Sequence, residues 1–146
     1  MEISLHNHFC TSWRKSLIDT IITPRVSETD GVGHINNVFV PIWFEAGRRK
    51  IFSIFSPDLS FKKWKLALVN INVDYTDQLF LKDDVYIKTW IEKIGKTSFQ
   101  IGEKIEQTGR ICAKGTATYV NYNFRNKQPE KLSDNVKKSL KALTIK

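Results

Sequence analysis

The sequence is poor in cysteine, with only Cys10 and Cys112 in 146 residues. No CxxC pair or Cys/His spacing is typical of zinc, so no metal site is predicted. A disulfide between the two is one alternative, but two distant thiols favour a reduced, cytoplasmic protein. His6 and His8 are expected at the surface. The first thirteen residues have neither a basic start nor an apolar run, so we expect no secretory signal.

Acidic residues are also in deficit: 15 Asp and Glu stand against 23 Lys and Arg, for a formal net charge of +8. This charge favours an anionic partner, such as nucleic acid, an acidic protein or a phosphate-rich small molecule. The alternative is that the lysines only keep a small protein soluble. No apolar run is long enough for a membrane span. The length fits a single domain over residues 1–146 with its own core.

A polar loop followed by an apolar helix dominates the pattern between residues 25 and 55. Asn36 and Asn37 can both cap the helix, and Pro41 falls in its first turn, where a missing N–H does least harm. The helix, over residues 38–55, is apolar on nearly every side, so other elements must wrap it. The loop combines five polar side chains with two glycines: Glu28, Asp30, Gly31, Gly33, His34, Asn36 and Asn37.

The remaining chain reads as strands joined by short turns, which favours an antiparallel sheet. The predicted strands cover residues 16–26, 66–76, 85–94, 99–105 and 111–124, with turns at 94–98 and 107–110. Ala113, Gly115 and Ala117 share one face, where small side chains would let a helix approach closely. A short helix is predicted over 133–143, capped by Ser133. The prediction is therefore an α+β fold, in which a five-stranded antiparallel sheet wraps a long central helix and a short C-terminal helix follows.

The stretch ETDGVGHINNVFVPIWFEAGR, from Glu28 to Arg48, resembles the signature loop and helix of the hotdog-fold acyl-CoA thioesterases, which include 4-hydroxybenzoyl-CoA thioesterase. The likeness extends over most of residues 17–143. It departs at Val40 and Pro41, where members commonly carry an aromatic residue and leucine. The resemblance implies a hotdog fold and hydrolysis of an acyl-CoA thioester. Coenzyme A would be part of the substrate, and no separate cofactor is expected.

The resemblance also implies roles for the loop residues. Asp30 matches the catalytic aspartate, which would attack the carbonyl or activate water. The backbone N–H of Asn37, helped by Val38, would stabilise the oxyanion at the helix N-terminus. His34 is expected to shape the site wall. The plainer alternatives are a turn-forming Asp30 beside Gly31 and simple capping by Asn37.

Other polar residues are assigned on weaker grounds. Asn70 is expected to line the pocket. Lys96, Thr97 and Ser98 follow Gly95 in a turn that could meet the phosphates of coenzyme A, although GKTS alone is not a P-loop. Glu28 is expected to be structural. Glu45 is expected to pair with Arg48 or Arg49, or to contact a second subunit.

Several partners and functions compete with acyl-CoA hydrolysis. In the family two sheets join edge to edge with sites between subunits, so a homodimer or homotetramer is expected. An acyl carrier protein could replace coenzyme A, docked on the terminal lysines Lys131, Lys137, Lys138 and Lys141. A dehydratase of the same fold would need an H-F-P-like motif that is missing here. A non-catalytic acyl-binding protein is a further alternative. Nucleic-acid binding is not expected, because Trp43, Phe44 and Phe52 look like core residues.

Overall fold

The computed structural model describes residues 17–145, and Cys10, His6 and His8 lie outside that range. One antiparallel sheet, three α-helices and one 3₁₀ turn at Val26–Glu28 form the described chain, and all five predicted strands are present. The bounds in chain order are β1 Ile18–Ile22, α1 Phe39–Gly47, α2 Arg49–Phe55, β2 Leu66–Tyr75, β3 Val85–Ile94, β4 Ser98–Gln107, β5 Arg110–Asn123, β6 Gln128–Pro129 and α3 Asp134–Lys141. The two-residue strand β6 was not predicted.

The strands lie in the order β1-β3-β4-β5-β2, and β6 pairs with the end of β5. Consecutive strands β2 and β3 are therefore not neighbours. Their connection, residues 76–84, passes across the end of the sheet where the loop before α1 also lies, because His34 forms a β-bridge with Phe80. β2 is left as an edge strand that pairs only with β5 among residues 17–145.

The helical segment packs against the concave face of the sheet at two glycines. A Cβ on Gly47 would lie 2.7 Å from Thr89 Oγ1, and one on Gly115 would lie 3.0 Å from Phe44 Cε2. Ala113 and Ala117 are fully buried, which confirms that the small-residue face of β5 receives the helix. These contacts set the distance between helix and sheet, since well-packed interiors leave no room for an added methyl group.

The predicted helix over 38–55 is divided at Arg48. The Arg48 N–H donates to Glu45 O at 3.0 Å, which is the tighter i to i−3 spacing, and α2 begins at the next residue. Pro41 lies in the first turn of α1, as predicted. The division places the Arg48 side chain beneath the helices rather than on the surface.

The C-terminal helix closes the far end of the core. Ser133 caps α3 by accepting the Val136 N–H at 3.2 Å, as predicted. Leu140 is fully buried, and Val136 and Leu143 pack against the same apolar cluster. Cys112 is buried within the sheet, and this burial raises the pKa of its thiol, so the sulfur stays protonated at neutral pH.

Candidate active site

The loop that carries Asp30 is short and is closed at its base by an antiparallel β-bridge. Thr29 and Ile35 form an antiparallel bridge, and the Asp30 N–H donates to His34 O at 2.8 Å. Gly31 and Gly33 have φ values of 91° and 89°, in the left-handed region that residues with a Cβ rarely adopt. The loop therefore needs glycine at both positions to present Asp30 at its tip.

The Asp30 carboxylate is partly exposed and only lightly held. Its Oδ1 accepts the Val32 N–H at 3.0 Å, and its Oδ2 lies 3.7 Å from His34 Nδ1. The His34 ring meets the edge of Phe80, with 5.1 Å between ring centroids. These contacts orient the carboxylate while leaving lone pairs of Oδ2 open toward solvent, as a nucleophile or general base requires.

Glu28 anchors the base of the same loop and has the structural role predicted for it. The buried carboxylate accepts the Arg25 backbone N–H at 2.8 Å and the Trp43 Nε1–H at 3.2 Å. Burial acts to raise its pKa, but the hydrogen bonds from Arg25 and Trp43 outweigh it and hold the pKa of Glu28 below its usual value. Asn36 N–H donates to Glu28 O at 2.8 Å, so one residue fixes both the loop base and the helix entry.

Two backbone N–H groups lie just before α1, and only one of them has a hydrogen-bond acceptor among residues 17–145. The Val38 N–H donates to Asn36 Oδ1 at 3.2 Å in the turn just before α1. The N-cap residue of α1 is Val38 and no side chain among residues 17–145 caps it, so the predicted capping of the helix by Asn36 or Asn37 is wrong. Among residues 17–145 the Asn37 N–H has no hydrogen-bond acceptor. This leaves Asn37 as the donor available at the positive end of the helix.

A cleft of about 510 Å³ opens beside Asn37. The Tyr75 hydroxyl donates to Asn37 O at 2.9 Å and so joins the end of β2 to the helix start. The cleft lining includes Asn37 but not Asp30, His34 or Val38. The lining residues are Ile35, Asn37, Val40, Tyr75, Thr76, Asp77, Gln78 and Leu79.

Two residues that build this cleft were missed from the sequence. Tyr75 was placed only on a strand face, and Gln107 only in a turn. Gln107 is buried and fastens the 76–84 connection by donating to Phe80 O and Asp83 O, each at 2.8 Å, and by accepting the Phe80 N–H at 2.9 Å. No local pattern signals such a role, because the partners lie more than twenty residues away.

The structure does not bring the weaker candidates to this cleft. Asn70 lies midway along β2 opposite Thr118, on the convex side of the sheet, and so does not line the cleft. Lys96, Thr97 and Ser98 form the turn between β3 and β4, at the end of the sheet opposite Asp30 in the same chain. The ten residues of β3 separate the two ends by roughly 30 Å.

Of the alternatives for Glu45, pairing with Arg48 is wrong, and contact with a second subunit stays a prediction. Arg48 is buried and binds Glu103 on β4 through Nε to Oε1 and through Nη2 to Oε2 at 3.0 Å, while its Nη1 donates to Tyr119 Oη at 3.0 Å. Burial raises the pKa of Glu103, and Arg48 opposes that rise. Glu45 stays exposed on α1. The physical reason is that Arg48 points into the core at the break between the helices.

The described residues show no metal site and no membrane-spanning helix. Residues 17–145 contain no group of three or more His, Cys, Asp or Glu side chains that could hold an ion. Within the same range no helix combines the length and apolar character needed to cross a bilayer.

Comparison with known proteins was made at the levels of family, sequence and structure. The family model described as the thioesterase-like superfamily matches residues 24–140. No curated protein matches the chain. A predicted thioesterase from Bacillus stearothermophilus has a similar structure with 52% sequence identity and a TM-score of 0.85, over 88% of this chain and 96% of that one.

Two more distant structures share the fold. A thioesterase from Thermus thermophilus, solved with coenzyme A and Zn, has 23% identity and a TM-score of 0.77, over 88% of this chain and 93% of that one. A hypothetical protein from Staphylococcus aureus, solved with CoA, has 14% identity and a TM-score of 0.76, over 88% and 84%. Together with the sheet that curls around the helix, these similarities confirm the predicted hotdog fold.

Proposed function

The chain belongs to the thioesterase-like superfamily and is a thioester hydrolase, and from that premise we propose that it hydrolyses acyl-CoA with Asp30 and the Asn37 backbone N–H. The observation that carries the proposal is that one short loop holds an open carboxylate on Asp30 and leads to an unengaged N–H on Asn37 at the mouth of the cleft. Both groups are what cleavage of a thioester needs.

The chemistry assigns one task to each group. Asp30 removes a proton from the water that attacks the thioester carbonyl, or attacks the carbonyl itself. In either case the C–S bond breaks and coenzyme A leaves as the thiol after protonation; in the second case water then hydrolyses the acyl–aspartate anhydride and frees the carboxylate. The carbonyl oxygen gains negative charge and accepts the Asn37 N–H, where the helix dipole adds to the stabilisation. Val38 supplies an apolar wall rather than a second donor, because its N–H is held by Asn36. His34 orients Asp30 from 3.7 Å.

A second copy of the chain completes the site. The free edge of β2 exposes unpaired backbone groups and apolar side chains, and Val38 just before α1 and Ile42 within it are each 56% exposed. Such an edge is avoided in a stable monomer, so we assign it to a two-fold dimer through β2. The exposed apolar residues of β2 are Leu68, Val69, Ile71 and Tyr75.

Coenzyme A is the favoured acyl carrier. Two structures with the same fold contain it, and its phosphates suit a protein of charge +8. α3 buries Leu140, so its lysines form an ordinary solvated face and give no separate reason to invoke an acyl carrier protein. Lys96, Thr97 and Ser98 remain candidate phosphate contacts, but they could serve only a substrate held by the partner subunit.

Release of free thiol from a panel of acyl-CoAs and acyl carrier proteins tests the function directly. We expect the purified chain to release coenzyme A from at least one acyl-CoA, and combined loss of the terminal lysines Lys131, Lys137, Lys138 and Lys141 to change that rate little. Activity confined to acyl carrier protein, and lost with those lysines, would overturn the choice of carrier. Binding of acyl-CoA without any thiol release would favour a non-catalytic role.

Substitution of Lys96 by Glu tests the turn between β3 and β4. We expect Lys96→Glu to raise KM for acyl-CoA and to leave kcat almost unchanged, because a phosphate contact away from the reacting carbonyl contributes to binding alone. Lys114→Glu, an exposed change of the same charge on β5, is the matched control. Equal KM values for Lys96→Glu and the wild type would exclude the turn as a phosphate contact.

A further inference from the structure

A basic cleft of about 330 Å³ lies at the end of the sheet opposite Asp30 and is not used by the site described above. It opens between the segment before β2 and the end of β5. Positive side chains and two aromatic rings lie along it. The lining residues are Lys62, Lys63, Trp64, Lys65, Asn123, Phe124 and Arg125.

The charges of this basic cleft are only partly neutralised. Lys65 binds Glu130 at 2.8 Å, and Glu130 also accepts the Asn123 Nδ2–H at 2.6 Å, so the charge of Lys65 is neutralised. Among residues 17–145, Lys62, Lys63 and Arg125 have no carboxylate partner. Three uncompensated positive charges around one cleft attract a polyanion.

The aromatic rings provide flat surfaces beside those charges. Phe124 is 55% exposed and touches Tyr122 only edge-on, with 5.2 Å between centroids, so one face of its ring is open. Trp64 packs against Phe52 and Phe61 and presents its remaining side to the cleft. An aromatic face beside cationic side chains is suited to a nucleotide, whose base stacks while its phosphates meet the charges.

In the proposed β2 dimer, this cleft lies near the site of the other protomer. β2 begins directly after Lys65 and ends at Tyr75, which is bonded to Asn37, so in one chain the cleft and the site are roughly 30 Å apart. Two-fold pairing of β2 with its copy is antiparallel. The basic cleft of one protomer then lies beside Tyr75 of the other, with adjacent strands only about 4.8 Å apart.

We propose that the basic cleft of one protomer binds the phosphorylated adenosine end of the coenzyme A whose thioester lies in the other protomer's site. This inference rests on the proposed function and on the β2 dimer. The pantetheine arm would run across the joined edges of the two β2 strands.

Kinetics with full and truncated substrates test the proposal. The variant Lys62→Glu/Lys63→Glu/Arg125→Glu should raise KM for acyl-CoA about tenfold or more, because it reverses three exposed contacts to anionic groups. The same variant should leave kcat/KM unchanged for the corresponding acyl-pantetheine, which lacks the nucleotide. Lys114→Glu/Lys137→Glu/Lys138→Glu, with the same charge change elsewhere, should behave as wild type.

The other outcomes overturn the proposal. An unchanged KM for acyl-CoA would remove the basic cleft from substrate binding. Equal losses with acyl-CoA and acyl-pantetheine would mean a structural effect, and an equal effect of the control variant would mean a general effect of net charge. If the wild type hydrolyses no acyl-CoA, the proposed function fails. The cleft is then judged by equilibrium binding of coenzyme A, which the triple variant must weaken if the proposal is right.

Mixed dimers test the placement across subunits. When Asp30→Asn subunits are refolded together with triple-variant subunits, half of the dimers contain one of each. Each mixed dimer then holds one site with both an intact Asp30 and an intact cleft, which restores about a quarter of the wild-type activity at low acyl-CoA concentration. If the cleft served its own chain, no mixed dimer would contain an intact pair, and absence of restored activity would overturn the proposal.

Discussion

The buried pair of Arg48 and Glu103 joins the break between α1 and α2 to the middle of the sheet. Both side chains are about 1% exposed, and Tyr119 accepts the remaining guanidinium bond. Two charges removed from water stabilise the fold only as long as each has its partner, because a lone buried ion is costly. This dependence makes the pair the residue-scale feature most sensitive to a conservative change.

We therefore expect Glu103→Gln to lower the free energy of unfolding by about 3 kcal/mol, as is typical when a buried pair loses one partner. Glu106→Gln, on the same strand, breaks the half-exposed pair with Lys104 and should cost less than about 1 kcal/mol. Urea denaturation of both variants measures the difference. Equal, small losses would mean that water or another group compensates Arg48.

Residue roles could be predicted from the sequence where they depend on local contacts. Glu28 as a structural residue and Ser133 as a helix cap follow from patterns a few residues long, and both are confirmed. The partner of Arg48 could not be predicted in this way, because Glu103 is 55 positions away and the direction of Arg48 depends on the helix break. Catalysis by Asp30 stays a prediction.

At the scale of elements, α1 can contact β3 closely because Gly47 has no side chain. An added Cβ at Gly47 would lie 2.7 Å from Thr89 Oγ1 and 2.9 Å from Ile87 Cγ2. Both neighbours are buried on a central strand and cannot move without displacing the sheet. The helix would have to move outward, and that movement would disturb the helix start where Asn37 lies.

Gly47→Ala should therefore destabilise the protein by about 1–3 kcal/mol, the usual cost of overpacking, although alanine is the better helix former. Ala46→Ser, one residue earlier on the exposed face of α1, is the control and should change stability little. Thermal unfolding of the two variants compares them. A Gly47→Ala protein more stable than wild type would show that the helix is not in close contact there.

Strand positions were predictable from alternation, but strand order was not. Apolar and polar residues alternate along β2 and β3 in the sequence, and both strands appear within a residue of their predicted ends. Their separation in the sheet depends on the 76–84 connection, which Gln107 holds across the strand ends. The cleft forms there, and no short-range pattern indicates it.

For the whole molecule, the free edge of β2 is the feature that a single chain leaves without a partner strand among residues 17–145. Ile71 is 42% exposed on the helix-facing side of this edge strand, next to a row of unpaired backbone groups. Pairing with a second copy would cover both the side chain and the edge. Oligomeric state and activity should therefore change together when this edge is altered.

We expect light scattering to show a dimer, or a tetramer built from dimers, at micromolar concentration. Ile71→Lys should shift the protein toward monomer and reduce thioesterase activity, because a charge would be buried at the joined edges. Asn72→Lys, on the opposite face of β2, is the control and should stay dimeric. A wild-type monomer with full activity would contradict a site shared between subunits.

The catalytic assignment of Asp30 is the central claim, and its removal tests that claim most directly. Free-thiol release by Asp30→Asn should fall at least about 100-fold in kcat, the usual effect of losing a nucleophile or general base. Circular dichroism should match the wild type, since Asn can keep the turn that Oδ1 makes with the Val32 N–H. Asp83→Asn, on the neighbouring connection, should keep its activity. A folded Asp30→Asn protein with wild-type turnover would contradict the account.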